Sequence, residues 1–460
     1  MSNVKPSIPK GTRDFSPVVI SKRNYLKAQL ATVFESFGFQ PIETPSFERS
    51  ETLLGKYGEE GDRLIFKILN SGEKIKNIDL QALQNGELSK FSNSLSQKAL
   101  RYDLTVPFAR YVAQHQNDIV FPFRRYQIQT VWRADRPQHG RFQEFLQCDA
   151  DVVGERSLWN EVEGVLLYDR AFTMLDLKGV QVHFNHRKIL AGIAQFIGAE
   201  SQFMNFTVAL DKLSKIGKDG VTKVLKSKGF TSSAIERLKP FLSLEGNFET
   251  QLGSVAKLLE GIEIAEEGID ELKFIYNQLN RQPLKAVNLK FDITLARGLN
   301  YYTGLILEVM PPKGIKIGSI GGGGRYDNLT DLFGLNNTSG FGISFGFDRI
   351  FLVLEELNLF PSNLEEKVKL MFSNFGDDSV NFCFDQLIKL RDKHFPCELY
   401  PKPVKLKKQL NYANERSIPN VVILGSEEMQ KKVFVLKNMV SGKQTEYPID
   451  QMFDILLDLD

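Results

Sequence analysis

The run Arg124-Arg125-Tyr126-Gln127-Ile128-Gln129-Thr130-Val131-Trp132-Arg133, a polar connection, and then Arg141-Phe142-Gln143-Glu144-Phe145-Leu146-Gln147-Cys148-Asp149-Ala150-Asp151 constrain the fold more than any other part of the chain. Both segments are extended in character and rich in aromatic residues. Ala134 to Gly140 between them carries Pro137 and Gly140, so the two read as an antiparallel pair. Residues two apart on a strand share a face. Arg141, Phe145, Gln147 and Asp151 therefore fall together on the returning strand, and Gln127, Gln129 and Arg133 on the outgoing one. A face that mixes cations, a ring, amides and a carboxylate suits a floor for a small charged ligand. The competing reading is a solvated outer face.

A chain of 460 residues, 42% hydrophobic and 25% charged, has apolar content for roughly two or three domains. Its net charge of +2 leaves any nucleic-acid contact to local basic patches. Cys148, Cys383 and Cys397 are far apart and form no C-x-x-C pair, which argues for a reducing compartment and against structural zinc or a disulfide framework. With no apolar leader and no stretch near the ~18 apolar residues of a membrane span, a cytoplasmic location and no membrane contact are expected.

Helical periodicity from about Val18 to Phe37 places Leu26, Leu30, Val33 and Phe37 on one face, with Gly38 as the stop. Phe39 to Phe47 reads as a strand interrupted by Pro41 and Pro45, hence an edge, a bulge or an interface. The Asn/Ser-rich stretch Ile75 to Gln97 reads as a mobile excursion, and a long helix is expected from about Leu158 to Leu175. Residues 194–284, dominated by Lys, Glu and Leu, form a helical insertion. Strand character returns at Val287, and helix Phe347 to Leu357 has a core face of Phe347, Ile350, Phe351 and Leu354. Beyond a break near Phe360-Pro361, alternating strands and helices predict an α/β domain with a mostly parallel sheet.

Asp103 and Thr105, two apart in a segment read as extended, place a carboxylate beside a hydroxyl. That pair suits a ligand's ammonium group, but on these residues alone a helix N-terminus is the stronger reading. Leu295 to Gly304 combines Arg297, Tyr301 and Tyr302 with flanking glycines, and Arg297 there fits a phosphate clamp. The run Gly321 to Gly324 is not a Walker-type loop, because no lysine follows at the required spacing. Glycines at alternate positions from Gly340 leave one strand face bare, and Arg349 lies off the apolar stripe of the helix that follows. His183 and His186 have no third metal ligand nearby, and lysines 402, 405, 407 and 408 read first as a solvated face, with RNA contact the lesser reading.

Taken together these segments resemble the class II aminoacyl-tRNA synthetases and, within them, the histidyl-tRNA synthetase family, over nearly the whole chain. Pro9 to Asp14 resembles that family's opening; Gly38 to Glu48 looks like class motif 1, the hairpin like motif 2, and Gly340 to Arg349 like motif 3. Leu295 to Gly304 is similar to a signature peculiar to histidyl enzymes and their paralogues. The resemblance implies an α+β catalytic core, an antiparallel sheet with flanking helices, in two parts (1–193 and 285–361) around the insertion at 194–284. A C-terminal α/β anticodon-binding domain at 366–460 would follow. It also implies ATP and Mg²⁺, with L-histidine and tRNA(His) as partners in a homodimer.

Family roles carried onto matching residues give Arg133 the α-phosphate and carboxylate oxygens, Asp135 the adenine amino group and Arg141 the γ-phosphate. Phe145 and Arg349 would sandwich the adenine. Asp103, Thr105 and Gln147 would hold the α-ammonium of histidine, and Asp151 with Tyr302, beside Tyr301, its imidazole. Arg297 would neutralise the α-phosphate in the transition state, and Gln138 would touch the tRNA acceptor end. One branch of the family carries glutamate at the places of Asp103 and Asp151, and the class usually does at Asp135; Leu-Arg-Tyr-Asp-Leu-Thr resembles a branch that uses aspartate. The rival readings are a non-aminoacylating paralogue, such as the regulatory subunit of ATP phosphoribosyltransferase, and a sensor of uncharged tRNA.

Overall fold

The computed structural model describes residues 5–459 except 297–300, 366–367 and 377. They divide into two units, 1–360 and 361–460. The first is built on an eight-stranded sheet. In chain order its strands are β1 (Gln40–Pro41), β2 (Phe123–Trp132), β3 (Glu144–Val153), β4 (Val180–His186), β5 (Val287–Phe291), β6 (Leu305–Met310), β7 (Gly321–Tyr326) and β8 (Gly340–Phe345). The spatial order is β1-β2-β3-β8-β7-β6-β4-β5. The six central strands pair antiparallel, and β1 and β5 add parallel edges. The hairpin of β2 and β3 has Arg125 opposite Asp151, Gln127 opposite Asp149 and Gln129 opposite Gln147. β8 then sets Ser344 beside Asp149 and Gly342 beside Asp151.

Helices cover the apolar face of this sheet. They include α1 (Pro17–Ser36), which starts where the Ser16 hydroxyl accepts from Val19 N; α2 (Thr105–Gln114) lies on the opposite, polar face, its Phe108 ring 4.2 Å from the Arg125 guanidinium, and α3 (Trp159–Met174) is again on the apolar face. Leu26, Leu30, Val33 and Phe34 of α1 are buried against Phe172, Phe345 and their neighbours in one continuous core. Thr105 opens α2, so Asp103 and Thr105 straddle a helix start instead of sharing a strand face. The stretch around residues 75–97 contains two short helices, Leu80–Gln84 and Leu88–Leu95. Asp79 caps the first by accepting from Ala82 N. Phe39 to Phe47 is not one strand: only Gln40–Pro41 joins the main sheet, while Phe47–Arg49 joins a small three-stranded sheet with Lys67–Ile68 and Lys98–Leu100.

Within residues 194–284 the elements are helical and amphipathic, their starts marked by Thr231 and Asn247, whose side chains accept from Ala234 N and Thr250 N. The last of these, α5 (Glu263–Asn280), packs on α4 (Arg187–Phe196). His186 joins the two: its Nδ1 accepts from Lys188 N at 3.2 Å, so the proton sits on Nε2, which donates to Glu271 at 2.9 Å. α6 (Phe347–Glu356) closes the unit, burying the expected stripe of Phe347, Ile350, Phe351 and Leu354.

The second unit has a five-stranded sheet of β9 (Leu370–Phe372), β10 (Cys397–Leu399), β11 (Asn420–Ile423), β12 (Val433–Asn438) and β13 (Gln444–Pro448), in the order β10-β9-β11-β12-β13. Only the first three strands are parallel. The last two form an antiparallel hairpin, so the sheet is mixed. Among the described residues no helix is long and apolar enough to cross a membrane, and all three cysteines are buried thiols outside any disulfide.

Candidate active site

The polar face of the central strands floors a cleft of about 350 Å³. Arg133, Asp135, Arg141 and Phe145 line it from the hairpin, together with Gln147 of β3. Asp103 and Thr105 join from the start of α2, Tyr301 and Tyr302 from the segment before β6, and Arg349 from α6. A smaller recess of about 20 Å³ shares Thr105, Tyr301, Tyr302, Gly322 and Ser344 with the cleft and adds Asp149, Asp151 and Tyr326. Residues up to 246 positions apart, Asp103 and Arg349, thus meet in one depression. Gln138 lies in the hairpin turn, where it exchanges backbone hydrogen bonds with Arg141, and lines neither space. Arg297 lies outside the described residues.

One end of the cleft gathers three arginines, with Asp135 and Glu308 close to them. Arg133 donates from Nε to Tyr102 O at 3.0 Å and lies over the rings of Tyr102 and Phe145, at 4.4 and 5.3 Å. Arg349 is fixed by Nε donating to Gly140 O at 3.0 Å and Nη1 to Ser319 O at 2.6 Å. Burial, and then the nearby Arg141, lower the pKa of Arg349. Arg141 is half-exposed and only loosely tied, 3.7 Å from Asp135. The residue beside Arg349 sets its position: Asp348 Oδ2 accepts from Leu146 N at 3.0 Å, and Oδ1 pairs with Arg23 at 2.6 Å and Arg13 at 2.8 Å. Arg13 in turn lies 3.3 Å over the Phe142 ring. One carboxylate therefore ties the chain's opening segment, α1, β3 and α6 together under the cation cluster.

The other end is acidic and buried. Asp103 Oδ1 accepts from Tyr57 Oη at 2.7 Å and from Val106 N at 3.2 Å, so the same carboxylate caps α2 and faces the cleft. Burial raises its pKa. Both oxygens of Asp151 are engaged: Tyr326 Oη donates to Oδ1 at 2.6 Å, and Arg125 Nη2 lies 2.7 Å from Oδ2. Burial raises its pKa too, with Arg125 and Tyr326 opposing. Asp149 is pushed up to about 7 by burial, with Arg125 pulling it down and Asp151 adding to the rise. The glycines of β7 and β8 make room for these groups. A Cβ on Gly342 would collide with Asp151 Oδ1, one on Gly340 with the Tyr326 ring, and one on Gly324 with Tyr302.

Several buried polar atoms here have no hydrogen-bond partner among the described residues: Gln147 Oε1, Asp149 Oδ1, Asp151 Oδ2, Gln127 Oε1 and the three nitrogens of the Arg125 guanidinium. Buried polar groups are normally satisfied, so such a concentration marks a place where a polar ligand completes the network. Arg125 and Asp149 are absent from the sequence-derived set, although they share its strand parity; that parity was the signal available. Glu308 on β6 and Asp348 also line the cleft without having been singled out. His183 pairs with Asp292 at 2.9 Å, and no cluster suited to a metal occurs among the described residues.

Comparison with known proteins decides what this geometry belongs to. Residues 11–76 and 79–350 match the family model described as histidyl-tRNA synthetase, and 373–459 match an anticodon binding domain. The chain belongs to the histidyl-tRNA synthetase family. It is 57% identical over 441 residues to the histidine–tRNA ligase of Christiangramia forsetii, covering 96% of this chain and 97% of the relative. The corresponding protein of Flavobacterium johnsoniae is 54% identical over 471 residues, with 98% and 99% covered. Among solved structures, the histidyl-tRNA synthetase of Nostoc sp. PCC 7120 superposes with a TM-score of 0.78 at 27% identity, over 99% of both chains. A Bacillus halodurans structure titled as an ATP phosphoribosyltransferase regulatory subunit/histidyl-tRNA synthetase shares the fold, with a TM-score of 0.70 at 22% identity.

Proposed function

We infer that the cleft activates L-histidine with ATP and passes it to tRNA(His). As a histidine–tRNA ligase the chain first forms histidyl-adenylate with release of pyrophosphate, then transfers histidine to the tRNA 3′ end. The observation that carries the site assignment is the polarity of one cleft: Arg133, Arg141 and Arg349 at one end, Asp103 and Asp151 at the other. A triphosphate and an amino acid with two basic nitrogens fit such a gradient in one orientation only.

In this reading Arg133 and Arg297 act on the reacting atoms. They hold the α-phosphate and the attacking carboxylate, and positioning with charge stabilisation supplies the acceleration. Arg141 exchanges its loose contact with Asp135 for the γ-phosphate. Phe145 and Arg349 take the adenine between them, and Asp135 reads its amino group. Asp103, Thr105 and Gln147 hold the α-ammonium, and the unpartnered Gln147 Oε1 is the acceptor that role needs. Asp151, Tyr301 and Tyr302 face the imidazole, and a hydrophobic impostor would leave such groups unpaired. Mg²⁺ needs only one or two protein carboxylates beside the phosphates. Glu308, lining the cleft and with no ion pair among the described residues, fits as its holder, and the ion would neutralise phosphate charge. Gln138, on the turn, is assigned to the tRNA acceptor end.

A homodimer through the motif 1 region is proposed on the exposure of the edge strand β1 and of Phe47 nearby, and a cytoplasmic location on three cysteines that form no disulfide. Sedimentation at working concentration tests the first. ATP–pyrophosphate exchange with each standard amino acid in turn tests the activity. Exchange with histidine alone is expected, and none at all from folded protein would return the regulatory-paralogue reading.

A further inference from the structure

Asp149 is left over once the family roles are distributed. It sits on β3 between Gln147 and Asp151, in a row that runs across the sheet from Gln127 to Ser344. It is 2% exposed and lines the recess with Asp151 and Tyr302. Its Oδ2 accepts from Gln147 Nε2 at 2.7 Å, which commits the amide's donor side and turns the Gln147 oxygen free. Its Oδ1 has no close hydrogen-bond partner among the described residues, although the Ser344 hydroxyl is near enough to favour the ionised form. Asp151 has Tyr326 on Oδ1, while its Oδ2, also without a hydrogen bond, is ion-paired with Arg125 at 2.7 Å. Asp149 Oδ1 is therefore the open carboxylate oxygen of the recess that has no cation paired with it among the described residues.

Charge counting sharpens this. The groups facing Asp149 are Arg125 from β2, Asp151 and the thiol Cys148 from its own strand, Tyr326 from β7, Tyr302 from the segment before β6, and Asp103 from the start of α2. Three buried carboxyls thus face one buried guanidinium, Arg125; Arg133 also acts on Asp103 from the cleft but is taken up by the substrate's carboxylate. The substrate's ammonium balances Asp103, and Arg125 balances Asp151. One negative charge remains, which a buried site does not hold without a counter-charge.

Resting on the ligase reading of the cleft, we infer that Asp149 is a specificity-determining residue that receives the imidazole ring of histidine and shares one proton with it. The bookkeeping is closed. In the empty site on the acid side of about pH 7 the proton is on the Asp149 carboxyl, histidine enters with a neutral ring, and the complex holds the same single proton between carboxyl oxygen and ring nitrogen. No bond other than the O–H or N–H carrying that proton changes. Above the range in which Asp149 keeps its proton, the empty site has lost it, and binding must take one up. Affinity then falls about tenfold per pH unit. An amide at position 149 has no proton to lose and gives no such limb.

The test is the histidine KM in ATP–pyrophosphate exchange, for wild type and Asp149→Asn, between roughly pH 6 and 8.5. The substrate's own α-ammonium titrates identically in both and cancels in the comparison. Expected is an alkaline rise of about tenfold per pH unit in wild type that is absent from the variant; a merely structural loss would shift KM by the same factor at every pH. Histidine titration calorimetry of wild type in buffers of different ionisation enthalpy reads the proton directly and needs no variant to fold. It should find uptake rising from near zero on the slightly acid side of neutrality to about one proton at the alkaline end. Parallel profiles in the two proteins, or no uptake by wild type, overturn the assignment of Asp149 while histidine-dependent exchange leaves the ligase reading standing. Absence of histidine binding and exchange in wild type would remove both.

Discussion

Gly342→Ala adds one methyl group at the point where the histidine end of the cleft is tightest. Gly342 lies on β8 opposite Asp151, and its backbone is not in the left-handed region, so alanine is tolerated by the chain itself. The conflict is purely one of space: the new Cβ would overlap Asp151 Oδ1, with Cγ at 2.7 Å and Tyr326 Cε1 at 3.3 Å. The carboxylate cannot swing freely, because Tyr326 Oη holds one oxygen at 2.6 Å and Arg125 the other at 2.7 Å. Moving it far enough to clear a methyl group breaks the bond from Tyr326, a charge-assisted contact of about 1.5–3 kcal/mol. It also loosens the pair with a fully buried arginine, for which complete separation would cost about 3–5 kcal/mol. Alanine's better strand entropy returns roughly 0.5–1 kcal/mol. A net destabilisation of about 2–4 kcal/mol follows, the pair being strained and not removed. In exchange assays the KM for histidine should rise by about tenfold or more, and the KM for ATP should stay within about twofold, since the contacts of Arg349 and Arg133 lie at the other end. Urea unfolding of the catalytic unit reports the stability term. A variant with wild-type midpoint and wild-type histidine KM would refute both the rigidity assigned to Asp151 and its place beside the imidazole.

Arg297→Ala should depress histidine-dependent exchange by about 10²–10³ while leaving the urea midpoint unchanged, and near-normal exchange would remove Arg297 from the transition state. Glu271→Gln probes the joint between α4 and α5. Burial alone would raise the Glu271 pKa, but hydrogen bonds from His186 and Lys188 hold it at about 2. A depressed carboxylate contributes stability that is present above its unfolded pKa and lost as pH falls through the folded one. The variant's lower melting temperature at neutral pH should therefore converge on wild type between roughly pH 4.3 and 2, and a gap independent of pH would refute the linkage. Ending the chain at Phe360 should leave exchange intact and abolish most tRNA charging; equal loss of both would mean that residues 361–460 support the catalytic unit.

How much was legible follows from the range of each physical cause. The hairpin of β2 and β3 and its polar face were readable because strand parity is local, and the apolar stripe of α6 is local too. Asp149 and Arg125 shared that parity but could not be ranked from it. Their significance lies in having no exposure and too few partners, which depends on β7, β8 and α2 packing over them. Asp348 stayed hidden for a similar reason: its partners Arg13 and Arg23 are 335 and 325 residues away. Asp-Leu-Thr fits a helix start as well as an extended turn; the helix start, the stronger local reading, is what forms, with Asp103 accepting from Val106 N while still facing the cleft. The helices between Leu80 and Leu95 were masked by Asn and Ser, which cap helices as readily as they fill loops. In the second unit, strands β12 and β13 pass unnoticed in a chain read for βα alternation, so the sheet was expected to be more parallel than it is.

The two ends of the cleft also explain why a nearly neutral chain can handle a polyanion and a basic amino acid together. A net charge of +2 provides no long-range selection. Selection instead comes from fixed groups within one cavity: three arginines around the phosphate end, and three buried carboxyls around the amino-acid end. A histidine bound backwards would place its ammonium among Arg133, Arg141 and Arg349 and its carboxylate beside Asp103 and Asp151, so both charges would be set mainly against their like. In the forward orientation the carboxylate lies at the boundary beside Arg133, where the α-phosphate must also lie for in-line attack. Orientation and activation are therefore one arrangement, and its precision rests on two ties outside the reaction. Asp348 holds the strand and helix bearing Phe145 and Arg349, and the Tyr326–Asp151–Arg125 chain holds the floor beneath the imidazole. Loosening the first should weaken ATP and spare histidine, and loosening the second should do the reverse.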